Sequence, residues 1–190
     1  MHIPVLKGML GHRTFIIKEG NQYLFDNIQT LDDLKNLKGG QGSQWGDTFV
    51  LKNSEIPTVT TSKYLNLFKM LEGERFHYFP RAIHESWAEI NEHPDLNLTV
   101  EKRILLIYPY AMYFMVGPEN QRLHDLIYRG FEMAIRDGSY NELFYANPAI
   151  KEALIKSNLN ERIVLKIPNP NMGPKTPIDR PEFWLELNEL

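Results

Sequence analysis

Between Thr30 and Glu92 the chain alternates short helical and short strand patterns, each closed by its own turn chemistry. That alternation constrains the architecture more than any other feature, because it is the signature of parallel βαβ units. Thr30 is an N-cap residue with Asp32 and Asp33 in the following turn and Leu31, Leu34 and Leu37 on one face, which predicts a helix over 31–36. The run from Gly39 to Asp47 (Gly-Gly-Gln-Gly-Ser-Gln-Trp-Gly-Asp) reads as a glycine-rich loop leading into a helix over 47–53. A strand over 57–60 follows. A helix over 63–72 then buries Tyr64, Leu67, Phe68 and Leu71. The next strand, 76–79, is predicted to stop at Pro80, and a helix over 82–92 ends before Pro94.

Outside this block the texture differs. Thr14–Lys18 reads as a buried strand. Two strands, 98–108 and 111–116, are expected on either side of Pro109. Beyond Gly117-Pro118, Leu123, Ile127, Phe131, Ala134 and Ile135 recur at helical spacing, predicting a helix over 120–136 that stops at Gly138. Helices over 139–144 and 148–157, a strand over 162–167, and a proline-rich tail anchored by Phe183 and Trp184 complete the pattern.

Composition excludes several function classes. The net charge of -3 and the lack of any Lys/Arg block argue against a nucleic-acid partner. With no cysteine there is no disulfide scaffold, thiol nucleophile or zinc-thiolate site. The longest apolar stretch, Ile104 to Val116, is too short for a bilayer span and is broken by Pro109. Met1-His2-Ile3-Pro4 does not open a signal peptide, so an export signal is expected upstream of these residues. His84 and Glu85 invite a zinc-protease comparison, but Ala88 stands where that motif needs its second histidine. There is no P-loop, dinucleotide fingerprint or nucleophile-elbow motif. No cofactor is expected.

Three stretches in order resemble the polar amino-acid (family 3) solute-binding proteins of the type 2 periplasmic-binding-protein fold. The first is Ile28-Gln29-Thr30-Leu31-Asp32-Asp33-Leu34-Lys35 before the glycine run. It is similar to the segment that opens the second lobe in that family. The second, Tyr64 to Phe79 with Gly73 inside it, resembles the helix–Gly–strand unit leading to the cleft. The third runs from Met112 through Gly117-Pro118-Glu119-Asn120 and the long helix to Asp137-Gly138-Ser139-Tyr140 and on to Phe144. It is similar to the closing region and is the most specific of the three.

The resemblance covers roughly residues 6–144 and implies an α/β lobe whose mixed sheet is flanked by helices. Residues 10–116 would form the ligand-binding second lobe. Residues 1–9 and 117–190 would supply the hinge and the C-terminal part of an incomplete first lobe. Such a part-lobe is expected to expose apolar surface and to associate with itself or with a missing segment.

The resemblance also implies site residues. Gly42, Ser43 and Gln44, with Trp45 beside them, occupy the position where the family grips an anionic group with backbone N–H groups, a hydroxyl and a helix N-terminus. Arg81 follows the strand that leads to the cleft, where family members often carry an ammonium-pairing Asp. An arginine there favours a carboxylate or phosphate instead. Tyr108, Tyr110 and Tyr113 flank the second crossing, where they would pack the hinge or close over a ligand, and Tyr110 is the one placed against the ligand. The implied function is a non-enzymatic, extracytoplasmic (periplasmic or extracellular) solute-binding protein. It would hand a small organic solute with an anionic group to the membrane permease of an ABC-type importer, or to a sensor partner. The alternatives on this fold are the ligand-sensing domain of a signalling protein and a dehydratase-like enzyme using His84 or Glu85.

Overall fold

The computed structural model describes residues 2–187. Its centre is β1 (His12–Lys18), buried over six of its seven positions. Antiparallel to it on one side runs β4 (Phe79–Ala82). On the other side lie β5 (Leu98–Val100) and β6 (Ile104–Ile107), end to end along the same edge. β7 (Ile163–Lys166) extends the sheet parallel to β6, although it lies in the stretch expected to belong to the incomplete first lobe. Two further strands, β2 (Gly39–Gly42) and β3 (Thr58–Thr61), pair in parallel.

The run from Gly39 to Gly42 is thus a fully buried strand and not part of a loop. Its glycines admit aromatic rings: a Cβ on Gly40 would lie 2.2 Å from the Phe76 ring. β2 joins the main sheet through one parallel bridge, Gly39 to Tyr78, with the Gly40 N–H donating to the Tyr78 carbonyl at 2.8 Å. The next rung of that ladder would need an N–H from residue 80, which is proline, so the pairing ends there. Pro80 therefore stops the strand only on its β2 side. Toward β1 the strand runs on to Ala82, because Pro80 faces Phe15 in a pair whose carbonyl is turned away to Glu101 N–H.

The helix expected over 82–92 is correspondingly shorter, α4 (Ser86–Asn91). The expected strand 98–108 is cut in two by Glu101. This fully buried carboxylate accepts the N–H groups of Arg103 and Ile104 and the Gln22 amide, and it turns the chain between β5 and β6. Residues 111–116 form no strand, only a bridge from Val5 to Met112 that ties the two crossing segments together.

The helices form two layers. α1 (Leu31–Leu34) starts on a reciprocal capping box between Thr30 and Asp33. With α2 (Gly46–Asn53) it covers the face made by Phe15, Ile17, Tyr78, Ile104, Leu106 and Tyr108. On the opposite face α3 (Tyr64–Glu72) packs Leu67, Phe68 and Leu71 against Ile16, Phe76 and Phe79. α4 is tied to β1 there by a 2.7 Å hydrogen bond between Thr14 and Ser86.

The C-terminal half contributes α5 (Gln121–Arg136), α6 (Ser139–Ala146) and α7 (Pro148–Ser157), close to the expected spans. Phe144, Ile150 and Leu159 from this region pack with Met9, Ile83 and Leu105. α5 has no buried residue. It exposes Leu123, Leu126, Tyr128 and Met133 and is held through the Phe114–Phe131–Tyr140–Phe144 chain of aromatic contacts and a bidentate ion pair from Arg180 to Glu132. Among the described residues, no helix is long and apolar enough to cross a membrane. In the tail, Phe183 is buried as expected, and Trp184 packs onto Gly8 with its indole N–H donated to the Pro177 carbonyl.

Candidate functional site

At the carboxyl ends of the parallel strands the chain leaves β2 toward α2 on one face and leaves β4 toward α4 on the other. Neighbouring strands whose exits diverge in this way open a crevice, the usual ligand position in open α/β sheets. Because β1 runs antiparallel to β4, its first residues, His12 and Arg13, reach the same edge. The end of β6 and Tyr108 arrive there too.

Ser43, Gln44 and Gly46 are exposed on this edge. Ser43 N–H closes the β2–β3 ladder on the Thr61 carbonyl, and Trp45 N–H turns back to the Gly42 carbonyl. The Ser43 hydroxyl, the Gln44 amide and the first-turn N–H groups of Gly46 and Asp47 have no hydrogen-bond partner among the described residues. The Gly46 and Asp47 N–H groups are first-turn donors of α2, where the helix dipole adds its positive end, and Ser43 and Gln44 lie immediately before them. Gly42 lies beneath the Trp45 indole: a Cβ there would come within 2.5 Å of the ring. Gly42 thus acts by letting Trp45 close down, and its own position is buried. Tyr110 stands over the start of α2, with its hydroxyl 2.9 Å from where a Cβ on Gly46 would be. Gly46, Tyr110, Tyr113, Asn169, Asn171 and Thr176 line a 200 Å³ pocket there. Tyr113 is pinned by a 2.6 Å hydrogen bond with Thr176.

Beneath this edge lies a buried charge network that the sequence does not announce. The side chain of Arg13 is 2% exposed, and its Nη2 donates to Asp47 Oδ1 at 2.5 Å. The Tyr108 hydroxyl donates to the same oxygen at 2.5 Å, and Glu85 lies 3.7 Å from the other arm of Arg13. The guanidinium also sits over the Tyr108 and Tyr110 rings at 5.5 and 5.6 Å. Burial works against the charge of Arg13, but the Tyr108 oxygen, Asp47 and Glu85 outweigh it and hold the group protonated. Burial pushes the Tyr108 phenol well above its usual range and raises Tyr110 too. The partners of Asp47 lie 34 and 61 residues away, so no local motif connects them. The one sequence clue is a charged residue, Arg13, two positions before the apolar run Phe15-Ile16-Ile17.

Arg81 lies on the opposite face of the sheet, not in the crevice beside Ser43. Its Nε donates to both oxygens of Glu89, at 2.9 and 2.7 Å, and its Nη2 to Glu89 at 2.5 Å and Glu85 at 3.1 Å. Trp45, Phe79 and Tyr64 surround it, with rings 5.1, 5.2 and 5.8 Å from the guanidinium carbon. The fork expected to take a ligand carboxylate is already filled by a carboxylate of the chain. Trp45 turns away from Ser43 to stack on Phe79 at 25°, so it joins this second cluster. Glu85 links the two clusters, lying 3.7 Å from Arg13 and 3.1 Å from Arg81, and it also accepts the Ala82 N–H at 2.9 Å. Of the expected site residues, then, Ser43, Gln44 and Tyr110 share the open edge, Gly42 lies beneath it, and Trp45 and Arg81 form the neighbouring cage.

No protein-family model matches the chain, and comparison with curated proteins finds no match. Among solved structures, the chain is similar to an ancestral arginine-binding protein bound to arginine. The identity is 20% and the TM-score 0.47, over 72% of this chain and 59% of that one. It is similar to the YckB protein of Bacillus subtilis at 18% identity and TM-score 0.46, over 83% and 63%. It is also similar to a Salmonella typhimurium periplasmic binding protein of high arginine specificity, at 17% identity and TM-score 0.43, over 76% and 59%. The chain thus spans about six tenths of the length of these solved proteins, and its own architecture is a mixed α/β sheet flanked by helices.

Proposed function

We propose that this chain is the ligand-gripping lobe of an extracytoplasmic solute-binding protein, a binding module and not an enzyme. It takes a small organic solute by its anionic group at the Ser43–Gly46 turn. The observation that carries this reading is the turn itself, a solvent-open set of unpaired donors at the N-terminus of α2, where the exits from β2 and β4 diverge. Tyr110 supplies an amphipathic wall beside it. The neighbouring charged groups support binding over chemistry. Glu85, one of the two acid–base candidates, is held by the Ala82 N–H, Arg13 and Arg81, and Arg81 is committed to Glu89. Delivery to a membrane permease, a periplasmic or extracellular setting, and association through the exposed apolar residues of α5 complete the proposal.

The test is calorimetric titration of the full chain with a panel of small carboxylates, including amino acids and dicarboxylic acids. A saturable binder is expected. Its affinity should fall about tenfold in Ser43→Ala and again in Tyr110→Phe, each removing one hydrogen-bonding group. A panel without a binder, or a binder indifferent to both substitutions, refutes the assignment.

A further inference from the structure

The surroundings of Arg81 have the composition of a receptor for the very group they enclose. Three aromatic rings face the guanidinium at 5.1 to 5.8 Å, and two of them, Trp45 and Phe79, lie within 25° of parallel. Glu89 meets it with both oxygens, the fork-to-fork arrangement that suits a planar guanidinium and not a point-like ammonium. Glu85 closes the remaining side at 3.1 Å. The Glu89 side chain is 11% exposed, so the carboxylate is largely removed from water and meets Arg81 in its place. Arg13, the other nearby cation, is already matched by Asp47. The Arg81 side chain is also 11% exposed and reaches the cage from β4, not from the packed core beneath.

We propose that Trp45, Tyr64, Phe79, Glu85 and Glu89 form a binding site for guanidinium-bearing cations, which the chain's own Arg81 fills as a tethered occupant. The site takes a flat cation against the side of a stacked aromatic pair, with a bidentate carboxylate opposite its N–H edge. Arg81 keeps it closed to small cations in the free protein. This stands apart from the anion-binding turn: either can hold without the other, since no group of the cage is one of the unpaired donors at Ser43–Gly46.

Removing the tether should open the site. Full-length Arg81→Ala is titrated with ethylguanidinium, ethylammonium and sodium chloride at equal ionic strength, and Trp fluorescence and the melting temperature are followed. Ethylguanidinium should bind saturably with a dissociation constant on the order of 1 mM and raise the midpoint by about 5 °C at 20-fold excess over that constant. Ethylammonium should bind at least about fivefold more weakly. The wild-type chain should show no saturable response, and Arg81→Ala/Glu89→Gln should lose it. An Arg81→Ala chain that responds no differently to ethylguanidinium than to sodium chloride overturns the proposal. If that variant does not fold, nitrogen-15 spectra of the wild-type chain decide: Arg81 should show a slowly exchanging Nε–H and hindered rotation of its guanidinium. A freely rotating, rapidly exchanging Arg81 overturns the proposal as well. Titration of either chain with the carboxylate panel reads the Ser43 turn separately.

Discussion

Replacing Asp47 with asparagine removes one charge from the most buried part of the network while keeping the shape of the side chain. Asp47 accepts from Arg13 and from Tyr108 through the same oxygen, each at 2.5 Å. Asparagine can still accept one of these bonds, so the loss centres on Arg13, whose side chain is 2% exposed. Breaking a buried ion pair by removing one partner costs about 3–5 kcal/mol, and a hydrogen bond to a charged group contributes about 1.5–3 kcal/mol. Glu85, 3.7 Å from Arg13, remains to compensate part of the charge, which places the expected loss near the overlap, at about 3 kcal/mol. For a chain of this length that corresponds to a melting temperature lower by about 6–12 °C. Urea denaturation should show the midpoint falling with an unchanged slope. A cycle with Arg13→Met tests the pairing directly: the double variant should lose at least about 1.5 kcal/mol less than the sum of the single losses. A loss below about 1 kcal/mol in Asp47→Asn, or a coupling near zero, would refute the account of a buried pair at the root of α2.

His12 is 6% exposed, and burial drives its pKa down to about 4. Between pH 6.5 and 4 the unfolded chain therefore binds the extra proton and the folded chain does not. Stability should rise with pH across this window and lose about 3 kcal/mol on acidification through it, a slope that His12→Leu flattens in urea titrations. Gly40→Ala places a methyl group 2.2 Å from the Phe76 ring, so calorimetry should show about 2–3 kcal/mol of destabilisation, against near neutrality for Gly117→Ala, where a Cβ meets open space. Thr30→Ala dissolves the capping box at α1 and should cost about 1 kcal/mol by the same measure.

Periodicity and punctuation in the sequence determined the alternation of helix and strand between Thr30 and Glu92, the N-cap at Thr30, the span of α5 and the end of that helix at Gly138. These are local effects, carried by hydrogen bonds and side-chain spacings within a few residues. What only the tertiary structure decided depends on partners far along the chain. Gly39–Gly42 becomes a strand because Thr58–Thr61 and Tyr78 supply its ladder and Phe76 its packing, and a glycine run is locally indistinguishable from a loop. Pro80 ends one ladder and is tolerated in another because its missing N–H faces β2 and not β1. Arg81 was legible as a charged residue at the end of a strand, but not its commitment to Glu89 and the Trp45 ring. Nor could Arg13, Asp47 and Tyr108 be joined from sequence: they meet only because β1, α2 and the end of β6 converge on one edge of the sheet, and that convergence is a property of the topology.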